Sequence, residues 1–107
     1  MTAVNIVDVA SWFTDRWMNA AEIGELSGID EQIIVERFGL EGKHIAGPQD
    51  HNSDMSARAG LLALERSGVL PEEVDVVAYF GSMWRDYEVW SVSPKIMQLV
   101  GATNAWA

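Results

Sequence analysis

Residues 55–80 read MSARAGLLALERSGVLPEEVDVVAYF and contain the two elements that decide the fold. Met55 to Ser67 carries apolar residues on two sides of a helical period, which predicts a helix buried on both sides and ended by Gly68. Val74 to Phe80 is almost continuously apolar, as is typical of a strand covered on both faces of a sheet. The short turn at Pro71-Glu72-Glu73 joins them, so the stretch predicts a helix that leads directly into a parallel strand.

The flanking sequence predicts the remaining elements from apolar runs and caps. In chain order we expect a strand over Val4–Val9, a helix over Ala20–Ser27 closed by Gly28, a short helix after Asp30 through Arg37 that buries Ile33 and Ile34, a loop over Leu40–Asn52, a helix after Ser93-Pro94 to Val100, and the start of another strand over Ala102–Ala107. The expected N-caps are Asn19 (in a capping box with Glu22), Asp30, either Ser53 or Asp54, and Ser93. This order of strands and helices predicts an α/β sandwich.

The last predicted strand begins at about Ala105 and has no continuation within the sequence. A strand that stops there cannot complete a sheet, and the remaining strands and helices would expose apolar surface. We therefore expect the 107 residues to be cut in mid-fold and to need a missing half, supplied in trans or by a longer gene product.

The composition, 49% hydrophobic and 21% charged, is typical of a globular domain. Seven Lys and Arg against sixteen Asp and Glu give a net charge of −9, which disfavours nucleic acid and anionic membrane surfaces as partners. The chain has no cysteine, so these residues offer no disulfide, thiolate metal site or thiol nucleophile. It has neither a signal-peptide pattern nor an apolar run of membrane-spanning length, so we expect a cytoplasmic location and no membrane partner.

Isolated polar residues give little evidence of chemistry. His44 and His51 are too far apart for one helical turn, so we expect no metal site, and His44 is interpreted as a loop residue whose ring bonds to neighbouring backbone. Glu72 and Glu73 follow a proline in a first turn, where carboxylates interact favourably with the helix dipole. We therefore interpret them as structural rather than as an acid–base pair.

The aromatic residues Trp84, Tyr87 and Trp90 follow the carboxyl end of the strongest predicted strand. Open α/β folds usually bind ligands there. Burial in the core or in a subunit contact explains such a cluster as well as pocket lining does, since both bury aromatic area. From the residues alone, both interpretations stay open.

Two motifs carry a family resemblance. Arg37-Phe38-Gly39-Leu40, followed by Lys43-His44-Ile45-Ala46, is similar to the Arg-Thr-Gly-Ile and Arg-His-Ile-Ala segments of ketoacyl synthase III, a condensing enzyme of the thiolase superfamily. The helix and strand of residues 57–80, and Ile96–Gly101 ahead of a new strand, follow in the same order. From Val4 to Ala107 the chain resembles the amino-terminal part of that family.

The resemblance implies a fold and an activity. Residues 1–107 would form the amino-terminal half of the first domain of a thiolase-like αβαβα sandwich, without an internal linker. The implied function is that of a 3-oxoacyl-carrier-protein synthase III-like acyltransferase, which performs thioester-dependent carbon–carbon condensation. The family's Cys nucleophile follows soon after the position of Ala107, and its His and Asn come later, so we expect no catalytic residue here and no activity of this chain alone. The implied partners are a complementary carboxy-terminal segment or chain with that Cys, an acyl carrier protein, and a second subunit in a homodimer or hetero-oligomer.

The resemblance also implies binding residues. Arg37 matches an Arg that, with a Trp, helps to hold the coenzyme A nucleotide in the family, and Ile33 occupies the place of that Trp. Tyr87, Val89 and Trp90 match the segment that reaches the acyl pocket across the dimer interface, with Val89 at its pocket-lining aromatic position. No permanently bound cofactor is implied, and the substrate carrier is a coenzyme A or phosphopantetheine thioester. Because the stacking Trp is absent, an acyl carrier protein or another acyl donor stays open.

Simpler alternatives remain. Arg37 could form an ion pair with Glu36 or Asp30 instead of meeting an anionic ligand. The chain as a whole could be a non-catalytic thiolase-like subunit that stabilises or regulates a complete synthase. It could also be an unrelated acidic α/β interaction domain.

Overall fold

A computed structural model describes residues 3–81, 85–87 and 90–107. Its elements, in chain order, are β1 (Trp17–Asn19), α1 (Ala20–Ser27), α2 (Glu31–Glu36), β2 (Gly42–His44), α3 (Asn52–Ser67), a 3₁₀ turn (Pro71–Glu73) and α4 (Ser93–Val100). They belong to two compact units, one formed by residues 13–49 and the other by the chain up to Trp12 together with residues 50–107. Helix and strand are mixed along the chain, as the sequence predicts.

The unit of residues 13–49 contains a short antiparallel ladder. Trp17 lies opposite His44, and Asn19 lies opposite Gly42. A Cβ at Gly42 would come within 2.5 Å of the Trp17 ring, so the close approach of the two strands requires glycine there. The predicted loop over Leu40–Asn52 is therefore wrong at β2. Each strand has three residues, too few to show a period in the sequence.

The two helices of this unit begin where their caps predict. Asn19 Oδ1 accepts from the N–H of Glu22, and Glu22 Oε2 accepts from the N–H of Asn19, both over 2.9 Å. Asp30 Oδ1 accepts from the N–H of Gln32 over 2.8 Å. The prediction that α2 buries both of its isoleucines is half right, because Ile34 is 1% exposed whereas Ile33 is 40% exposed.

The other unit is built on the packing of α3 against α4. Its core consists of small and β-branched residues: Ala57, Val92, Ile96, Val100 and Ala102. The two helices approach closely at Gly60, where a Cβ would lie 3.4 Å from Val100 Cγ1. α4 begins at Ser93 with Val92 as its N-cap, one residue earlier than the predicted Ser93 cap.

The start of α3 differs from the prediction. The helix begins at Asn52, three residues before Met55, and its N-cap residue His51 makes no side-chain capping bond. Neither Ser53 nor Asp54 is the N-cap, so that prediction is wrong. Both lie inside the first turn.

The predicted strand over Val74–Phe80 is present as one isolated parallel bridge between Val76 and Trp106. Val77 N donates to Trp106 O over 3.0 Å, and Trp106 N donates to Asp75 O over 3.1 Å. The parallel pairing agrees with the predicted order of helix, connection and strand. It also supports the predicted start of a strand near the carboxyl end.

The predicted strand at Val4–Val9 is wrong, because the described residues before β1 include no strand. Val4 is 96% exposed and Ile6 is 85% exposed. An apolar segment becomes a strand only when another strand pairs with it, and no described segment does so here. Within Val4–Val9, Asp8 Oδ1 forms an ion pair with Arg66 Nη2 over 3.1 Å.

Candidate functional site

A shallow depression of about 440 Å³ brings together the two residues predicted to contact a nucleotide. Ile33 and Arg37 are four residues apart, so they lie on the same side of α2 and its carboxyl-terminal cap. Both side chains are exposed. The depression is completed by Asp30, Gln32 and Glu36.

The electrostatics of this depression are mixed. Asp30 caps α2, and Glu36 Oε1 accepts from Gln32 Nε2 over 2.9 Å, so both carboxylates are held by polar contacts within the helix. Among the described residues, Arg37 forms no ion pair with Asp30 or Glu36. Its guanidinium could therefore meet an anion, although two carboxylates in the lining oppose a highly charged one.

The second predicted region is the aromatic segment after residue 80. The rings of Tyr87 and Trp90 meet edge to face, with centroids 5.4 Å apart and an interplanar angle of 86°. Trp90 is half-buried and packs against the core of α3 and α4, whereas Tyr87 is 69% exposed. Trp84 and Val89 lie outside the described residues. Trp90 therefore contacts the core, Tyr87 is available to a ligand or partner, and the predicted roles of both in substrate binding stay predictions.

A polar contact that the sequence analysis missed fixes this segment. Ser53 N donates to Asp86 Oδ1 over 3.2 Å, and Ser53 Oγ donates to Asp86 Oδ2 over 2.5 Å. Ser53 is 2% exposed. The two residues are 33 positions apart, so no local pattern predicts their contact.

The remaining candidate residues have structural partners. His44 Nδ1 lies 2.6 Å from Thr14 O, and its ring lies 4.8 Å from Phe13 and 5.0 Å from Trp17. The ring bonds to backbone, as predicted. His44 lies in β2 rather than in a loop, however, and its partner Thr14 is 30 positions away in the chain. Glu73 Oε2 accepts from Leu70 N over 2.8 Å, which supports its structural interpretation.

The described residues contain no group of three or more His, Cys, Asp or Glu side chains arranged to hold a metal ion. Within the same ranges, the helices are all too short or too polar to cross a membrane.

An apolar groove of about 830 Å³ lies along one side of the bridged segment. Its lining includes Ala59 and Leu64 of α3 and the side chains of Val76 and Phe80. Val76 is 45% exposed and Phe80 is 101% exposed. Monomeric proteins seldom leave such apolar strand residues in water.

Comparisons with known proteins agree with the resemblance in the motifs. No family model matches the chain. The β-ketoacyl-[acyl-carrier-protein] synthase III of Desulfitobacterium hafniense is 34% identical over 77 residues, which are 72% of this chain and 23% of that protein. The protein of the same name from Levilactobacillus brevis is 27% identical over 103 residues, which are 96% of this chain and 31% of that protein.

A solved structure gives the same result for the fold. The priming β-ketosynthase of a polyketide biosynthetic pathway superimposes with a TM-score of 0.81 and 28% identity, over 94% of this chain and 30% of that one. The α/β, thiolase-like fold class is thereby confirmed. The chain spans only about a quarter to a third of the length of these relatives. From the motifs, the sequence identity and the fold together, the chain belongs to the thiolase-like ketoacyl synthase III family and corresponds to part of its length.

Proposed function

We propose that this chain is the amino-terminal part of a β-ketoacyl synthase III-like acyltransferase that forms carbon–carbon bonds between thioester-bound acyl groups. The observation that carries the proposal is the match of 94% of the chain, at a TM-score of 0.81, to a priming β-ketosynthase. Covalent acyl transfer needs a nucleophile with a base and an oxyanion site. The chain has no cysteine, so the proposed Cys-His-Asn set belongs to polypeptide outside it.

The proposed contribution of the unit of residues 13–49 is a carrier-binding surface at Arg37 and Ile33. An exposed guanidinium without an ion pair can bond to a phosphate or to a pantetheine carbonyl. Ile33 offers no aromatic face for an adenine ring, and two carboxylates line the same depression. These features favour the phosphopantetheine of an acyl carrier protein as the ligand. They do not favour free coenzyme A, whose nucleotide would find few contacts here.

The proposed contribution of the other unit is part of an acyl pocket. Tyr87 presents an exposed ring, and Trp90 supports it from the core. In this proposal Val89 has the pocket-lining role that the resemblance implies, and a second subunit completes the pocket across a dimer interface. We propose a cytoplasmic location for the assembled enzyme.

The apolar groove supports the need for a complementary segment or chain. Val76 and Phe80 would become buried if further strands and helices of a sandwich covered them. At about 25 cal/mol per Å² of apolar surface, burial of two such side chains favours assembly by several kcal/mol.

A non-catalytic subunit remains the second candidate. The absence of cysteine and the exposed strand residues are equally expected of a thiolase-like chain that pairs with a complete synthase. Native mass spectrometry separates the two candidates. A 107-residue polypeptide bound to a second chain supports the subunit, and a longer polypeptide supports the enzyme.

The enzymatic proposal is tested on the complete polypeptide that carries this chain. We expect a Cys soon after Ala107, acyl transfer from a thioester donor, and loss of transfer when that Cys is replaced by Ala. A complete polypeptide without such a Cys, or with transfer unaffected by its replacement, contradicts the proposal.

A further inference from the structure

Asp86 caps helix α3 from a distant position in the sequence. Its two carboxylate oxygens accept from the backbone N–H and the hydroxyl of Ser53, over 3.2 Å and 2.5 Å. Ser53 lies in the first turn of α3, where a negative charge is favourable to the helix dipole and backbone N–H groups lack helical partners. Hydrogen bonds to an ionised carboxylate are among the stronger ones in proteins. This contact therefore holds Asp86 firmly against α3.

Further contacts hold the residues on either side of Asp86. Arg85 Nη1 donates to Trp90 O over 3.3 Å, so a hydrogen bond joins Arg85 to Trp90. Trp90 packs against the core, which gives a second fixed point. Tyr87 lies between the two fixed points, edge-on to Trp90 and exposed to solvent.

We infer that Asp86, through Ser53, is the positioning residue for the exposed ring of Tyr87 and so helps to set which acyl chains the pocket accepts. The inference rests on the proposed function of this segment as part of an acyl pocket. One methylene of fit or misfit in an apolar pocket changes specificity by about 10- to 200-fold. A shift of Tyr87 by the length of one methylene would therefore change acyl preference measurably.

The test uses the complete protein and two readouts. The first is the position of the Tyr87 ring in crystal structures of the variants. The second is the ratio of kcat/KM for octanoyl and acetyl thioesters of N-acetylcysteamine, which share one carrier, so that any contact of the carrier with Arg37 is the same for both. The variants are Asp86→Ala, Ser53→Ala and Asp86→Asn, whose amide oxygen can still accept from Ser53 N. Asp54→Ala is the matched control, because Asp54 is in the same helical turn and has no hydrogen bond to residues 85–87 in the described structure.

We expect Asp86→Ala and Ser53→Ala to displace the Tyr87 ring and to change the octanoyl-to-acetyl ratio by about tenfold or more. Asp86→Asn should recover part of both effects, and Asp54→Ala should change neither. If Asp86→Ala does not fold, Ser53→Ala and Asp86→Asn carry the same comparison.

Other outcomes separate the two claims. An unchanged position of the Tyr87 ring in Asp86→Ala and Ser53→Ala overturns the positioning role. A displaced ring with an unchanged ratio in an active enzyme overturns the role in specificity. If the unmodified complete protein transfers no acyl group, the proposed function fails and the specificity claim fails with it, while the ring position alone still decides whether Asp86 positions Tyr87.

Discussion

Val76 lies opposite Trp106 in a parallel bridge, and the backbone groups on either side of Val76 make its two hydrogen bonds. Val77 N donates to Trp106 O, and Asp75 O accepts from Trp106 N. Alternate residues of a strand direct their N–H and C=O groups to opposite edges. Val76 and Ala78 therefore direct theirs away from Trp106, to an edge where the described residues provide no strand.

This geometry predicts an alternation in amide exchange. We expect the N–H of Val77 to exchange at least about tenfold more slowly than those of Val76 and Ala78, since only hydrogen-bonded amides are protected by local structure. Nuclear magnetic resonance of the 15N-labelled chain measures the three rates. In the complete protein, a strand added at the free edge should protect Val76 and Ala78 as well. Equal rates for all three amides in the chain alone would contradict the bridge.

The sequence predicted those elements whose signals are local. The capping box of Asn19 and Glu22 and the closure of helices at Gly28, Gly68 and Gly101 involve residues within a few positions of one another, and the structure confirms them. The fold class followed from the order of these elements.

The sequence did not predict features that depend on distant partners. β2 exists because β1 pairs with it, and Val4–Val9 is not a strand because no described segment pairs with it. The contact of Ser53 with Asp86 likewise joins residues far apart in the chain. The family resemblance implied that Ile33 and Arg37 contact one ligand, which stays a prediction, whereas the acidic lining of the depression that they share became evident only from the side-chain positions.

Replacement by alanine should affect the free energy of unfolding differently at Gly68 and at Gly60. Gly68 has φ +73, a conformation that costs a residue with a Cβ about 1–2 kcal/mol, so Gly68→Ala should lower the free energy of unfolding. Gly60 is inside the helix, where alanine is favoured by about 1 kcal/mol. Its added Cβ would lie 3.4 Å from Val100 Cγ1, an ordinary contact, so Gly60→Ala should raise stability or leave it unchanged. Urea titration measures both, and a destabilised Gly60→Ala would show that α3 and α4 lie closer than described.

The adjacent isoleucines of α2 form a second matched pair. Ile34 is 1% exposed, so Ile34→Ala removes buried methyl groups and should cost about 2–5 kcal/mol of unfolding free energy. Ile33 is 40% exposed, and alanine is the better helix former, so Ile33→Ala should change stability by less than about 1 kcal/mol. Thermal or urea unfolding compares the two. Similar losses would mean that Ile33 is covered in solution by a partner or by another part of the protein.

Replacing Ile33 also tests which acyl carrier the depression binds, because an added aromatic ring should increase its affinity for coenzyme A. Ile33→Trp places an aromatic ring beside the Arg37 guanidinium in the depression of α2. Stacking of a base on an aromatic ring contributes about 1–3 kcal/mol. We therefore expect the variant to bind coenzyme A roughly 5- to 100-fold more tightly in calorimetry, with little change for pantetheine, which lacks the nucleotide.

Two controls show whether the gain belongs to this site. Ile29→Trp adds the same ring at a residue of similar exposure, 39% against 40%, that does not line the depression, and should leave coenzyme A affinity unchanged. Arg37→Ala in the Ile33→Trp background should remove much of the gain, because the ring and the guanidinium would hold different parts of one nucleotide. An equal gain from Ile29→Trp, or an equal gain for pantetheine, would mean that the added ring acts by non-specific apolar binding. Ile33 would then not limit nucleotide recognition, and the carboxylates of Asp30 and Glu36 would be the stronger barrier to coenzyme A.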